Sequence, residues 1–395
     1  MVPHSLPRSE DDMGEATEMR TRSGDRTFSY EYGPESLPAP GGTIDMWRYQ
    51  RLLPRPDDVP RFPLPVGGTP LRSMTWLSDA VGVPRLWIKD ETTGPSASNK
   101  DRATALVIDA ALRHGATVVT TSSTGNAAVS TALGAAAAGL DAVIFVPGDC
   151  ASAKVRLMVA AGAQVFRIPE GYHAAFELSC AVAARLGWAN RNTGVNPLTV
   201  EAKKTVAFEI WEQLGRRAPD VVAVPVGDGA TLVGMAKGFR ELLACGAIAG
   251  LPRLIGVQAA GCAPLAARWH GVTCPAGAGA TAAGGIAVPE PAIGDWTLAE
   301  VRRSAGTFVT VTDEQMAAAV ADLHRRSHVR AELAGAASLA GLRDAVEQGL
   351  VAPQELVVAL VTGAGLTELP EAGGRRGSVR TVRADPDVVI DMLAS

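Results

Sequence analysis

Short runs rich in valine, isoleucine and leucine recur along the chain at 85–89, 117–122, 141–147, 164–168, 220–226, 253–259 and 355–362. None alternates strictly between apolar and polar residues, which is the pattern of strands buried on both faces. Between them lie segments of helical period at 101–113, 126–138, 152–161, 173–186, 200–214, 231–245, 313–328 and 335–348. In 200–214, Ala202, Val206, Ala207, Ile210, Trp211 and Leu214 share one helical face. Strand and helix in alternation predict a mainly parallel α/β architecture with helices covering both faces of the sheet. No repeat of solenoid length interrupts the pattern. Ligands in such folds gather at the carboxyl ends of strands, beside helix N-termini.

The apolar clustering starts at Met46 and ends near Leu369. Residues 1–42, rich in Ser, Glu, Arg, Gly and Pro, read as a mobile arm with one short strand around 27–32. After Leu369, EAGGRR reads as a turn or linker before a short tail. With 395 residues the chain has room for two domains, or for one large domain with an insertion.

Composition narrows the function classes. Hydrophobic residues at 47% and charged residues at 20% suit a globular protein with a sizeable core. A net charge of −4, with Lys and Arg spread along the chain, gives no reason to expect nucleic acid or an anionic membrane as partner. The N-terminus, MVPHSLPRSEDDMGEATEMR, has no apolar core of a signal peptide, and apolar stretches such as 130–140 are too short to span a bilayer. The five cysteines, Cys150, Cys180, Cys245, Cys262 and Cys274, form no C-x-x-C pair and are odd in number, so they read as thiols of a reducing cytosol. The expectation is a soluble cytoplasmic protein.

Candidate chemistry sits at turns. TSSTGNAA, 121–128, follows a strand and opens a helix, so Ser122, Ser123, Thr124 and Gly125 place hydroxyls and N–H groups where a carboxylate or phosphate can bind. Taken alone, the same turn reads first as an N-cap. VGDGATLVG, 226–234, is a second strand–glycine–helix turn; it is neither a Walker loop nor G-x-G-x-x-G, and tight strand–helix packing explains it as well as anion binding does. VTGAGLTE, 361–368, follows the last strong strand and sets Thr362 at that strand's end. In GPSASNKDRATA, 94–105, Lys100 stands at a helix start. The positive end of a helix disfavours an ammonium and lowers its pKa, which Schiff-base chemistry requires; a lone lysine beside Asp and Arg also reads as a solvated surface charge.

In this order the elements resemble fold-type II pyridoxal 5'-phosphate (PLP) enzymes of the tryptophan synthase β-like superfamily, and within them threonine synthase and its close paralogues. GGTPL (67–71), IKDETTGPSASNKDRA (88–103), SSTGNAA, NPLTVEAKKTVAFE (196–209), AELAGAASLAGL (331–342) and VTGAGL (361–366) each resemble a block of the family. The resemblance implies an α/β fold of two doubly wound, mainly parallel sheets. It divides the chain into a flexible arm (1–42), a large PLP-binding domain (43–99 and 201–370), a small mobile domain (100–200) and a C-terminal tail (371–395). Lys100 would carry PLP as a Schiff base and shuttle protons. Asn126 would bond the PLP phenolic oxygen, Gly227, Asp228, Gly229, Ala230 and Thr231 would bind its phosphate, and Thr362 would face its pyridine nitrogen. Ser123, Thr124 and Gly125 would hold the substrate α-carboxylate. For a substrate phosphate, Lys154, Asn196, Lys203 and Lys204 are candidates, while Arg102 could equally be structural.

The implied activity is that of a lyase making L-threonine and phosphate from O-phospho-L-homoserine and water. The alternative is a paralogue performing elimination or replacement on another amino acid, such as a serine/threonine dehydratase. A binding regulator without turnover is a further reading, which retention of Lys100 opposes. Family resemblance also suggests a homodimer acting on a small amino acid. The departures from the family pattern are Asn99 for Phe, Ala97 for Gly, Asp228 for Asn or Gly, Leu333 for Pro, Gly285 for Ser, and Ala364 and Thr367 for His and Lys. The arm lacks the cysteines of a zinc ribbon. His324 and His328 have metal-ligand spacing but no third ligand, so no metal is expected; Cys262 and the tryptophans read as packing residues.

Overall fold

The structure, a computed structural model, describes residues 19–20, 26–27, 32–56, 58–273, 281–365 and 377–394. In chain order the strands are β1 (Met19–Arg20), β2 (Arg26–Thr27), β3 (Leu71–Ser73), β4 (Leu86–Asp90), β5 (Val118–Ser122), β6 (Asp141–Pro147), β7 (Gln164–Ile168), β8 (Ala189–Asn190), β9 (Val221–Pro225), β10 (Arg253–Ala259), β11 (Thr307–Val311), β12 (Val357–Val361) and β13 (Ser378–Thr381). The helices are α1 (Thr75–Val81), α2 (Lys100–Arg113), α3 (Asn126–Ala138), α4 (Ser152–Ala160), α5 (Tyr172–Leu186), α6 (Leu198–Glu201), α7 (Lys204–Gln213), α8 (Ala230–Ala244), α9 (Pro264–His270), α10 (Gly294–Arg303), α11 (Asp313–Ser327), α12 (Leu333–Glu347) and α13 (Pro386–Ala394).

Each apolar run becomes a strand, and the strands form two sheets, as the α/β resemblance implies. The larger has the order β11-β10-β9-β12-β4-β3, parallel except where β3 lies antiparallel to β4. Every residue of β9 and β12 is buried, which is why neither shows an alternating pattern. On one face Leu77, Met316, Leu323 and Leu339 of α1, α11 and α12 close the core. On the other face the core is closed by Phe208, Met235, Phe239, Leu265 and Leu298 of α7 to α10. The smaller sheet, β13-β7-β6-β5-β8, is parallel throughout. Residues of α2, α3 and α4 such as Leu106, Val129 and Met158 cover one face, and Leu178 and Val182 of α5 with Val389 of α13 cover the other.

The differences from the sequence reading have local causes. β3, β8, β11 and β13 and the helices α1, α9, α10 and α13 go unread because each is short or sits at an edge; β8 has two residues. The single helix expected over 200–214 is broken between α6 and α7, where Lys203 N–H bonds the Val200 carbonyl and Thr205 N–H the Ala202 carbonyl, both over three residues. Tyr32, assigned to the arm, is buried among the apolar residues over α7 and α8. The strand expected near 27–32 is represented by β2, paired antiparallel with β1, while 28–31 lie outside the described residues. Within the segment read as a tail, β13 pairs parallel with β7, and α13 buries Val389. Cys274, Thr367 and the EAGGRR turn lie outside the described residues.

Candidate active site

The lysine loop descends from β4 and ends at Lys100, the first residue of α2. Its neighbours are anchored away from the lysine. Asp101 accepts from the Ser96 N–H at 2.8 Å and from Ser130 Oγ at 2.7 Å. Arg102 is fully enclosed, donating to Glu91 Oε1 and Oε2 and to Glu209 Oε1 and Oε2 at 2.7–2.8 Å. Arg102 is therefore the structural residue of the two readings open to it. Burial holds the Lys100 ammonium below its ordinary pKa; Asp228 and Glu332 pull it back up, and Arg191 adds to the lowering.

Asn99, the departure before the lysine, connects the loops. Its Oδ1 accepts from Lys100 Nζ at 3.2 Å, its Nδ2 donates to Thr231 Oγ1 at 3.1 Å, and its backbone N–H donates to the Thr362 carbonyl at 2.9 Å. Ala97, where the family has Gly, takes φ +55, a left-handed conformation costly for alanine. Lys100, the 227–231 turn and the end of β12 are thus brought together through Asn99.

The β5–α3 turn reaches the same place. Asn126 donates from Nδ2 to Glu332 Oε1 at 2.5 Å and accepts from Lys154 Nζ at 3.2 Å. No side chain caps α3, and nothing lies within 4 Å of where a Cβ on Gly125 would stand. Ser123 Oγ accepts from the Gly125 N–H, and Thr124 is exposed. At the third turn, Gly229 takes φ +96 and has no side chain to cap α8; a Cβ there would collide with Thr297 Oγ1, and one on Gly227 would come within 3.1 Å of the Ile286 backbone. Asp228 turns its Oδ1 back to the Ala230 N–H at 2.9 Å.

Of the cations considered for an anionic substrate, several are engaged elsewhere. Lys204 is buried between Glu201 and Glu241, with Lys237 on the same carboxylates. Asn196 donates Nδ2 to the Asn190 carbonyl and accepts from the Leu198 N–H, so both ends of its amide serve its own turn. Lys203 differs. It is 1% exposed, and its ammonium has no hydrogen-bond or ion-pair partner among the described residues. Burial pushes it down to about 7, helped by Lys100 and Arg191 and opposed by Asp228. Arg191 is a second such cation. It is buried, and among the described residues its only side-chain bonds are 3.4 Å contacts to Thr104 and Thr193 hydroxyls and its Nη2 has no partner. Burial lowers it to about 10, with Asp228 and Asp101 pulling it back up.

Sequence reasoning missed Arg191 and Glu332 as site residues. Arg191 follows a strand of two residues, too short to mark a carboxyl end, and Glu332 reads as an ordinary helix N-cap. His324 and His328 are both exposed.

The donor set suits a phosphorylated aldehyde cofactor. An amine of lowered pKa stands beside a helix N-terminus whose glycines admit no side chain. Residues 63–363 match the family described as pyridoxal-phosphate dependent enzyme. The chain is 37% identical over 348 residues to threonine synthase of Mycobacterium bovis, covering 87% of this chain and 94% of that protein. It is 35% identical over 374 residues to threonine synthase of Mycobacterium leprae, covering 94% and 99%. Threonine synthase of Methanosarcina acetivorans is 34% identical over 324 residues, covering 80% and 79%. Among solved structures, the processed form of threonine deaminase isoform 2 from Solanum lycopersicum matches at TM-score 0.63 and 25% identity, covering 75% of this chain and 84% of that one. Diaminopropionate ammonia lyase from Escherichia coli shares the fold at TM-score 0.64 and 21% identity, over 76% and 85%.

Proposed function

We infer the reaction from one premise: the chain belongs to the pyridoxal-phosphate-dependent enzyme family. Within it we read the protein as a lyase of the threonine synthase type, which turns O-phospho-L-homoserine and water into L-threonine and phosphate. The observation that carries this reading is Arg191, a buried guanidinium with no carboxylate ion pair among the described residues, close enough to Lys100 to shift its titration. Such a charge is costly until an anion joins it. A substrate ending in phosphate brings that anion at its side-chain end, where serine or threonine has only a hydroxyl. The three threonine synthases at 34–37% identity support the same choice.

When bound, PLP supplies the electron sink that stabilises negative charge developing on the substrate carbons. Lys100 would hold it covalently, residues Gly227 to Thr231 would hold its phosphate, and Asn126 and Thr362 would meet the polar atoms of its ring. The chain's own groups do the rest. Lys100, with its lowered pKa, is the base that removes the α-proton and then a β-proton. The uncapped N-terminus of α3, with Ser123, Thr124 and Gly125, receives the α-carboxylate. Arg191 takes the substrate phosphate, and Lys154, held on Asn126, adds positive charge beside it. In this reading residues 100–200 form the small domain that closes over the substrate against 43–99 and 201–370. The enzyme works as a cytoplasmic homodimer, in keeping with the free thiols of Cys150, Cys180, Cys245 and Cys262.

The test is to supply PLP-loaded protein with O-phospho-L-homoserine and measure inorganic phosphate and L-threonine together. Equimolar products, at a rate far above that of Lys100→Ala, are expected. Absence of threonine from a loaded enzyme would sink the reading, and 2-oxo acid with ammonia from threonine or serine would replace it with a dehydratase.

A further inference from the structure

We propose that Lys203 is the cation of the cofactor-phosphate cup, and that it offsets the carboxylate Asp228 brings into that cup. The proposal rests on the PLP reading, which places a phosphate at the N-terminus of α8, but not on which amino acid is converted.

A phosphate at this turn faces two handicaps. Asp228 adds a negative charge to a loop that must receive a dianion. Its Oδ1 also accepts from the Ala230 N–H at 2.9 Å, occupying one of the donors the helix end would otherwise present. A cup built this way needs positive charge from outside the loop. Lys203 is placed to give it. A Cβ on Gly234 would stand 2.6 Å from the Lys203 Cβ, so the lysine stem rises against α8 four residues in from Ala230. Four residues of helix rise about 6 Å, within the reach of a lysine side chain. The charged groups that act on its ammonium are Lys100, Asp228 and Arg191.

Of the rival cations, Arg191 is the one assigned above to the substrate phosphate, and the others are already engaged. Lys204 and Lys237 share Glu201 and Glu241, and Arg102 is enclosed by Glu91 and Glu209. Lys203 is the cation that emerges from the break between α6 and α7, 1% exposed and without a partner for its ammonium among the described residues. A buried ammonium lacking a counter-ion is an unfavourable arrangement that a bound dianion relieves.

The experiment compares binding of PLP with binding of pyridoxal, which lacks the phosphate, to cofactor-free protein by absorbance titration. Wild type, Lys203→Gln, Asp228→Asn and the double variant are compared, each checked for folding by far-ultraviolet circular dichroism. Loss of a charged hydrogen bond predicts that Lys203→Gln weakens PLP by roughly tenfold or more and leaves pyridoxal unchanged. Asp228→Asn is expected to tighten PLP and, in the double variant, to recover part of the loss. Unchanged PLP affinity in Lys203→Gln, or equal weakening of PLP and pyridoxal, would overturn the proposal. Should Lys203→Gln not fold, Asp228→Asn alone decides: PLP binding no tighter than wild type refutes the offset. Cofactor binding is read without substrate, so a failure to form threonine leaves this test independent.

Discussion

Asn99 shows how much one residue can join, through its side chain and its backbone N–H. It touches Lys100, Thr231 and the backbone of Thr362, three points contributed by separate stretches of chain. Lys203 shows the opposite, a residue the fold encloses at a cost. Its unfolded pKa is that of ordinary lysine, 10.5, and its folded value is about 7. Between those values the unfolded chain binds the extra proton, so stability rises with pH across that window. Below about 7 the native state must also carry the buried charge, and the penalty is complete. Lys203→Met is therefore expected to raise the melting temperature of the cofactor-free protein, most of all below pH 7, with the gain fading toward pH 10. Melting curves across that range check this. The same variant should bind PLP less tightly, so stability and cofactor affinity move in opposite directions.

At the scale of elements, α2 is locked to the large sheet by a buried ionic network. Arg102 joins Glu91 and Glu209, and Lys89 of β4 donates to Glu209 at 2.6 Å. These charges, with burial opposing, hold Glu209 down to about 2. Removing one partner leaves the others buried and uncompensated, so Arg102→Ala should lose about 3–5 kcal/mol in urea unfolding. Replacement of both Arg102 and Lys89 by Met, together with Glu91→Gln and Glu209→Gln, should lose less, since no charge of the network is then left buried alone. A purely substrate-binding Arg102 would instead lower activity without moving the unfolding midpoint.

At the scale of the molecule, the C-terminal segment completes the smaller sheet. β13 pairs along β7, and Val382 and Val389 cover Phe166 and Ile168. Truncation after residue 376 would open the β7 edge and strip that apolar cover. The expected results are a lower melting temperature and concentration-dependent aggregation by light scattering, as an unpaired hydrophobic edge invites. Unchanged melting would show that the segment only decorates the sheet.

The sequence by itself determined the buried strands, because runs such as VVAVP and VVALV declare burial on both faces. It determined most of the long helices through their period, and the turns at Lys100, Ser123–Asn126 and Gly227–Thr231, because glycine and hydroxyl residues at a strand-to-helix switch leave a local signature. Only the tertiary structure decided which buried charges are paired. Arg102, Lys203, Lys204 and Arg191 look alike along the chain; what separates them is whether a carboxylate from a distant element comes within reach. Glu209 reaches Arg102 and Glu241 reaches Lys204, while no carboxylate pairs with Lys203 or Arg191 among the described residues. That pairing depends on helices meeting across the sheet, and no local pattern of residues encodes it.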